Sequence, residues 1–331
     1  MFFSLIIFFF LIKFLNVKNL VITNKKSADF LKDKLRKKKI NIHDNFKSLN
    51  KIIKKKLDYT MSSISGLAGL DPTIRIIEKT KTIAIANKES IICAWNLIEK
   101  KLKKHKTKFI PVDSEHFSIW SLLSGQKHNS IDKIYITASG GPFLNWPINK
   151  IKKATPADAL NHPNWSMGKK ISIDSATMMN KVFEVIETQK IFNLHKSRIK
   201  ILIHEKSYVH AIIQFNNGLR KILAHDTNMS IPIFNTIYEN DQKTFISKNL
   251  NIKNLNDLNF KFIDNRKFPL MKILDLIPDK NSLFETVLVS ANDELVNLFL
   301  KNKISFNYLQ KKLIDLVKSK EFLNEKKKKT K

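Results

Sequence analysis

The sequence predicts an α/β fold whose sheet is parallel at least in its first half, followed by an α+β portion and a helical C-terminal end. Three observations carry this. Short apolar runs alternate with longer helix-like stretches from Asn16 onward. Several apolar runs end in a polar cluster, the place where open α/β sheets put their ligands. The last sixty or so residues read as mostly helical. In order, residues 17–23 (VKNLVIT) read as a strand and 27–38 as a lysine-rich helix. Residues 59–64 form a second strand, after which Asp71 caps a helix with Pro72 in its first turn. Strands over 82–86 and 109–112 end in Asn87-Lys88-Glu89-Ser90 and in Asp113-Ser114-Glu115-His116. A strand over 134–137 ends in Ala138-Ser139-Gly140-Gly141-Pro142, and strands over 199–203 and 209–215 precede the turn Asn216-Asn217-Gly218. Residues 240–270 read as a polar connector, and 268–331 as helices with a solvated lysine tail.

Composition excludes several classes. A net charge of +30 would suit nucleic acid. Only five of the basic residues are arginine, however, and the lysines are scattered among abundant Asn and Ile, which argues for compositional drift and against a nucleic-acid partner. The single cysteine, Cys93, excludes an intrachain disulfide and makes the reducing cytoplasm the default compartment. It sits in an apolar run and reads as an inert core thiol. The opening run MFFSLIIFFFLIKFL is too short for an ordinary membrane span and lacks the charged start of a secretory signal, so membrane contact is not expected.

The chemistry gathers after the strands. Asp113 and Glu115 lie two residues apart, and Glu184 lies on the polar stripe of a helix with Thr177, Asn180, Lys181 and Glu187, counted from Ser175 at about 100° per residue. Three hard oxygen ligands without a cysteine cluster suit Mg²⁺ or Mn²⁺ better than zinc. Ser139-Gly140-Gly141 offers a hydroxyl and unhindered N–H groups, the chemistry of a phosphate nest. His162 sits in a loop beside Pro163 and Trp165, whereas His210 reads as structural. No GxGxxG fingerprint is present, and Gly66-x-x-Gly69 is a weak substitute. From the residues alone, the chain is a divalent-metal α/β enzyme for an anionic, phosphorylated small molecule.

Five stretches together resemble the 1-deoxy-D-xylulose 5-phosphate reductoisomerase family: Ala86–Ser90, Pro111–His116, Ser139–Phe143, His162–Gly168 and Lys170–Lys181. Ser290-Ala291-Asn292-Asp293-Glu294 resembles its C-terminal helical domain. The resemblance implies a partial Rossmann-like nucleotide-binding domain over 1–112, an α+β catalytic domain over 113–240, a connector over 241–267 and a C-terminal helical domain over 268–331. It implies that Asp113, Glu115 and Glu184 hold Mn²⁺ or Mg²⁺, and that Lys88 and Ser114 contact the sugar backbone. Ser139, Ser175 and Asn180 would bind phosphate, with His162 and Lys181 beside them. Asn87, Glu89 and Gly168 match positions that touch NADPH. Glu115, His162, Lys181 and Glu184 are the catalytic candidates, and Trp165 and Met167 belong to a closing loop.

The implied reaction is NADPH-dependent rearrangement and reduction of 1-deoxy-D-xylulose 5-phosphate to 2-C-methyl-D-erythritol 4-phosphate, in a cytoplasmic homodimer. One departure stands out. Nothing matches the family's first strand and glycine-rich NADPH turn, so the chain is expected to begin partway through that domain. The alternative expectation is a non-catalytic remnant that retains metal and sugar-phosphate binding at most.

Overall fold

The computed structural model describes residues 12, 14–36, 39–126, 130–239 and 241–328. Most of the apolar opening run (1–11 and 13) and the last three residues of the lysine tail lie outside them. Strand β1 (Asn19–Val21) pairs in parallel with β2 (Asn41–His43) through helix α1 (Lys25–Lys34). Asn24 caps α1 by accepting the Ser27 N–H, so the helix begins before the expected Ser27 and ends at Lys34. Leu20, Leu31 and Leu35 form a small core beneath. The three residues of β2 are too few to show a period, and no strand was expected there.

The second sheet has the parallel order β3 (Leu57–Ser62), β4 (Thr80–Ile85), β5 (Lys108–Pro111). Its connections are α2 (Leu70–Ile76) and α3 (Lys88–His105). Asp71 is not the cap of α2. Gly69 holds that position, and Asp71 sits in the first turn, where it accepts from Arg75 at 2.7 Å. Asn87 does cap α3, accepting the Ser90 N–H at 2.6 Å. Ile83, Ile85, Ile91 and Ile98 bury the sheet against α3.

Helix α4 (Ser114–Leu122) follows β5 directly and leads to β6 (Ile131–Ala138). Helices α5 (Lys169–Thr177) and α6 (Met179–Ile191) then precede β7 (Ile199–Ile203), β8 (Val209–Phe215) and β9 (Arg220–Ala224). These strands form a mixed sheet in the order β7-β6-β8-β9, in which β6 runs parallel to β7 and antiparallel to β8. The strand expected over 134–137 thus opens a new sheet rather than extending the first. The edge strand β9 was not expected, because its sequence RKILA alternates weakly.

One correction matters for the site. The helix counted from Ser175 is two helices, because Met178 adopts φ 64° and ψ 9° and ends α5. Thr177 turns inward and donates to the Ile173 carbonyl at 3.0 Å, leaving the polar stripe to begin at Asn180. That stripe is buried rather than solvated.

After α7 (Ser230–Ile237), residues 241–267 are largely irregular, with one short helix at Ile252–Asn256. Helices α8 (Phe284–Leu300) and α9 (Phe306–Lys318) follow, and a short helix at Lys320–Asn324 comes after them. Phe143, Phe183, Phe284, Phe299 and Phe306 join α6 to these helices in one apolar cluster, and each buried phenylalanine contributes roughly 1.5–3 kcal/mol. This packing presses the polar side of α6 toward the end of β5. Among the described residues no helix is long and apolar enough to cross a membrane.

Candidate active site

A cavity of ≈ 540 Å³ opens beyond the carboxyl ends of β4, β5 and β6, and every expected site residue lines it. Its deepest corner is acidic. Asp113 lies two residues beyond β5 and caps α4, its Oδ1 accepting the Glu115 N–H at 3.3 Å. Glu115 follows in the first turn of α4, and Glu184 comes from α6 with 1% exposure. One oxygen from each of these three acids lies within 4.8 Å of the others, close enough to share a cation.

Two ammonium groups reach into the acids. Lys181 donates to Glu115 Oε1 at 2.5 Å and to Glu184 Oε2 at 2.6 Å. Lys88 donates to Asp113 Oδ2 at 3.0 Å and to Glu187 Oε2 at 2.9 Å. Burial alone would lower the Lys88 ammonium, but Asp113, Glu187 and Glu184 hold it well above its ordinary value. His116 adds a third positive group. Its Nε2 meets the Glu184 carbonyl at 3.0 Å and its Nδ1 meets Asp113 Oδ1 at 3.1 Å. Both partners are acceptors, so both ring nitrogens carry hydrogen. Burial opposes that charge, yet Glu187 and Asp113 push the pKa up to about 9.

The corner still lacks positive charge. Burial and the neighbouring Glu115 push the Glu184 carboxyl up to about 8. A group held so high accepts a proton near neutral pH unless a further cation enters. Oxygen-only donors with unspent negative charge fit Mg²⁺ or Mn²⁺.

The opposite corner suits an anion. Gly140 and Gly141 take φ 88° and 67°, and a Cβ at Gly141 would lie 2.7 Å from the Ser175 carbonyl oxygen. Glycine therefore lets the turn after β6 approach α5. Ser139 Oγ accepts the Gly141 N–H at 3.1 Å and lies 3.2 Å from His162 Nε2. His162 Nδ1 accepts the N–H groups of Asn164 at 3.2 Å and Trp165 at 3.0 Å, which places its hydrogen on Nε2, toward Ser139. Ser139 thus accepts twice and keeps its own hydrogen for a third partner. Burial, aided by Lys181, lowers His162 to about 4, so it is a neutral donor here. Asn180 donates to Glu184, and its Oδ1 is buried without a protein partner.

The third wall holds the expected cofactor residues. Asn87 spends its amide on the carbonyls of Ile64 (2.5 Å) and Gly66 (2.9 Å), so it shapes this wall mainly through the turn it holds. Glu89 pairs with Lys170 at 3.0 Å, and Lys170 also meets Asp174 at 3.0 Å and Asp293 at 3.2 Å. Helix α8 is thereby tied to the wall. Gly168 precedes α5 and accepts the Ser172 N–H at 3.1 Å.

The sequence reading missed four residues. His210 is more than structural: it lines the cavity, stacks on His225 at 3.7 Å and faces Trp165. His116 and Glu187 form a second cluster of metal-ligating residue types with Asp113. Their sequence signals were His116's place in the polar cluster after a strand and Glu187's place on the polar stripe with Glu184. Lys170, within a quoted motif, was assigned no role. Cys93 is buried, with burial pushing its thiol up to about 12, as an inert thiol should be.

The comparisons with known proteins agree with one another. Family models match residues 7–95 as 1-deoxy-D-xylulose 5-phosphate reductoisomerase, and residues 109–192 and 225–331 as C-terminal domains of that enzyme. The reductoisomerase of Pelagibacter ubique (strain HTCC1062) is 60% identical over 313 residues, which are 94% of this chain and 81% of that protein. The chain belongs to the 1-deoxy-D-xylulose 5-phosphate reductoisomerase family. The reductoisomerase of Wolbachia pipientis wMel is 36% identical over 93% of the chain and 78% of its own length. The solved reductoisomerase from Zymomonas mobilis, in complex with NADPH, superposes with a TM-score of 0.81 at 30% identity, over 94% of this chain and 84% of that one. A reductoisomerase in complex with NADPH, fosmidomycin and magnesium superposes with a TM-score of 0.82 at 30% identity, over 92% and 78%. The Rossmann-like first part, the α+β middle and the helical end are the layout of this reductoisomerase family.

Proposed function

We propose that the chain converts 1-deoxy-D-xylulose 5-phosphate to 2-C-methyl-D-erythritol 4-phosphate, as an NADPH- and divalent-metal-dependent oxidoreductase of non-mevalonate isoprenoid synthesis. The observation that carries this is the meeting of three carboxylates and a Ser139–His162–Asn180 anion corner in one cavity. When bound, Mg²⁺ or Mn²⁺ polarises the substrate's oxygens as a Lewis acid, and NADPH supplies hydride. Asp113, Glu115 and Glu184 hold the ion. Lys181 touches Glu115 and Glu184 and adds positive charge where negative charge develops on oxygen. Lys88 and Ser114 orient the sugar backbone. Ser139, Ser175 and Asn180, with the neutral His162 donor, hold the phosphate. Asn87, Glu89 and Gly168 form the NADPH wall, and Trp165 and Met167 exclude water when the loop closes.

The division at 1–112, 113–240, 241–267 and 268–331 follows these roles. The protein works in the cytoplasm, where its buried thiol stays reduced. It acts as a homodimer, a reading supported by β9, whose outer edge is unpaired among the described residues and whose Ile222 is exposed. The non-catalytic alternative rests on the glycine-rich NADPH turn that the sequence does not match, and the assembled acidic and anion corners favour the catalytic reading over it. The test is NADPH consumption with the named substrate and Mn²⁺, against an EDTA-treated control. Saturable, metal-dependent turnover to the named product is expected. Saturable NADPH binding by fluorescence without turnover would overturn the reading.

A further inference from the structure

Lys88 is a buried ammonium with three carboxylates in reach. It lies 3.0 Å from Asp113 Oδ2, 2.9 Å from Glu187 Oε2 and 3.8 Å from Glu184 Oε1. Two of these acids belong to the metal triad and one does not. An ammonium and a divalent ion compete for the same carboxylate oxygens. Lys88 is held close to these acids: its side chain is only 10% exposed, and Glu184 and Glu187 are buried beside it. When Asp113 and Glu184 bind the ion, Lys88 needs a counter-ion that is not itself a ligand. Among the described residues, Glu187 is placed for this. It sits three residues beyond Glu184 on α6 and is 1% exposed.

We infer that Glu187 is a positioning residue for the metal site: it holds Lys88, so that Asp113 and Glu184 are free to take the divalent ion. This rests on the reading of Asp113, Glu115 and Glu184 as the metal ligands. Without Glu187, Lys88 would settle on those ligands and oppose the ion.

The test is Mn²⁺ binding to the full chain, followed by the loss of the free-ion paramagnetic resonance signal, with no substrate or NADPH present. Glu187→Gln should weaken binding about 10- to 100-fold, the usual effect of an outer-shell partner. Lys88→Gln alone should bind Mn²⁺ at least as tightly as the native chain. The double variant Lys88→Gln/Glu187→Gln should regain most of the affinity lost in Glu187→Gln, a recovery that a merely structural role for Glu187 would not produce. Equal affinity in Glu187→Gln and native protein, or no recovery in the double variant, overturns the inference while leaving the triad standing. Weakened binding in Lys88→Gln overturns it even if Glu187→Gln fails to fold. A native chain that binds no Mn²⁺ removes the triad and the inference together.

Discussion

The acidic corner and the loop over residues 162–168 face each other across one cavity, yet different forces hold them. In the corner, every acid comes from a strand end or a helix, and acids and ammonium groups are tied to one another. The loop has no regular structure, and Pro163, Ser166 and Gly168 are exposed. Its polar ties include the His162 ring, which accepts two N–H groups and meets Ser139, the Asn164 amide, which donates to the Glu205 carbonyl and to Ser207, and the Gly168 carbonyl, which accepts from Ser172. Such a segment opens at low free energy, whereas the corner moves only with the phenylalanine cluster behind α6. On the proposed function, the difference teaches that charge is preorganised where it would act, while water exclusion would fall to the part with fewer ties.

The largest effect should come from the corner. Glu184→Gln removes one of the three proposed ligands, and kcat/KM should fall on the order of 10³-fold, the several kcal/mol expected of Lewis-acid stabilisation. Mn²⁺ binding should weaken in parallel. The metal-free variant should melt no lower than the native chain, because glutamine replaces a buried carboxyl whose pKa stands at about 8. Turnover within tenfold of native would break the claim that the ion is held here.

His162→Gln should act on the other region. A loosened loop and a misdirected Ser139 hydroxyl should cost about 10- to 100-fold in kcat/KM, the scale of a misplacement near 1 Å. Hydrogen exchange should quicken at the Asn164 and Trp165 amides and stay unchanged in α6. Equal quickening in both regions would show that loop and corner are one cooperative unit.

The corner was also the more legible region. Asp113 and Glu115 announce themselves by spacing, and helical periodicity puts Glu184 near Asn180 and Lys181. The partners that complete the corner are a tertiary fact: His116 and Thr188 are 72 residues apart, and Lys88 and Glu187 are 99 apart. No local pattern states such a meeting. The break at Met178 was hidden for another reason, since a methionine at positive φ carries none of the signal a glycine would. The strands β2 and β9 stayed hidden through shortness and weak alternation. In the loop, the motif was readable but the hydrogen-bonding role of His162 was not, because it depends on which backbone N–H groups the ring meets.

The smallest effect is a pH dependence that separates the two regions. Burial lowers both His162 and His210 to about 4, against an ordinary value near 6.5. The unfolded chain therefore takes up protons that the folded chain refuses between those values. The stability linked to these rings is full above about pH 6.5 and is lost as pH falls toward 4. His116 runs the other way: raised to about 9, it contributes below pH 6.5 and loses that contribution as pH rises through 9. Acid thus strikes the loop side, where His162 carries the Asn164 and Trp165 amides and His210 lies 6.2 Å from the Trp165 ring. Between pH 7 and 4.5 the melting temperature of the native chain should drop more steeply than that of His162→Gln, and loop amides should exchange faster before those of α6 do. Parallel slopes in the two proteins would mean that protonating His162 does not release the loop, and that its hold lies with Asn164 instead.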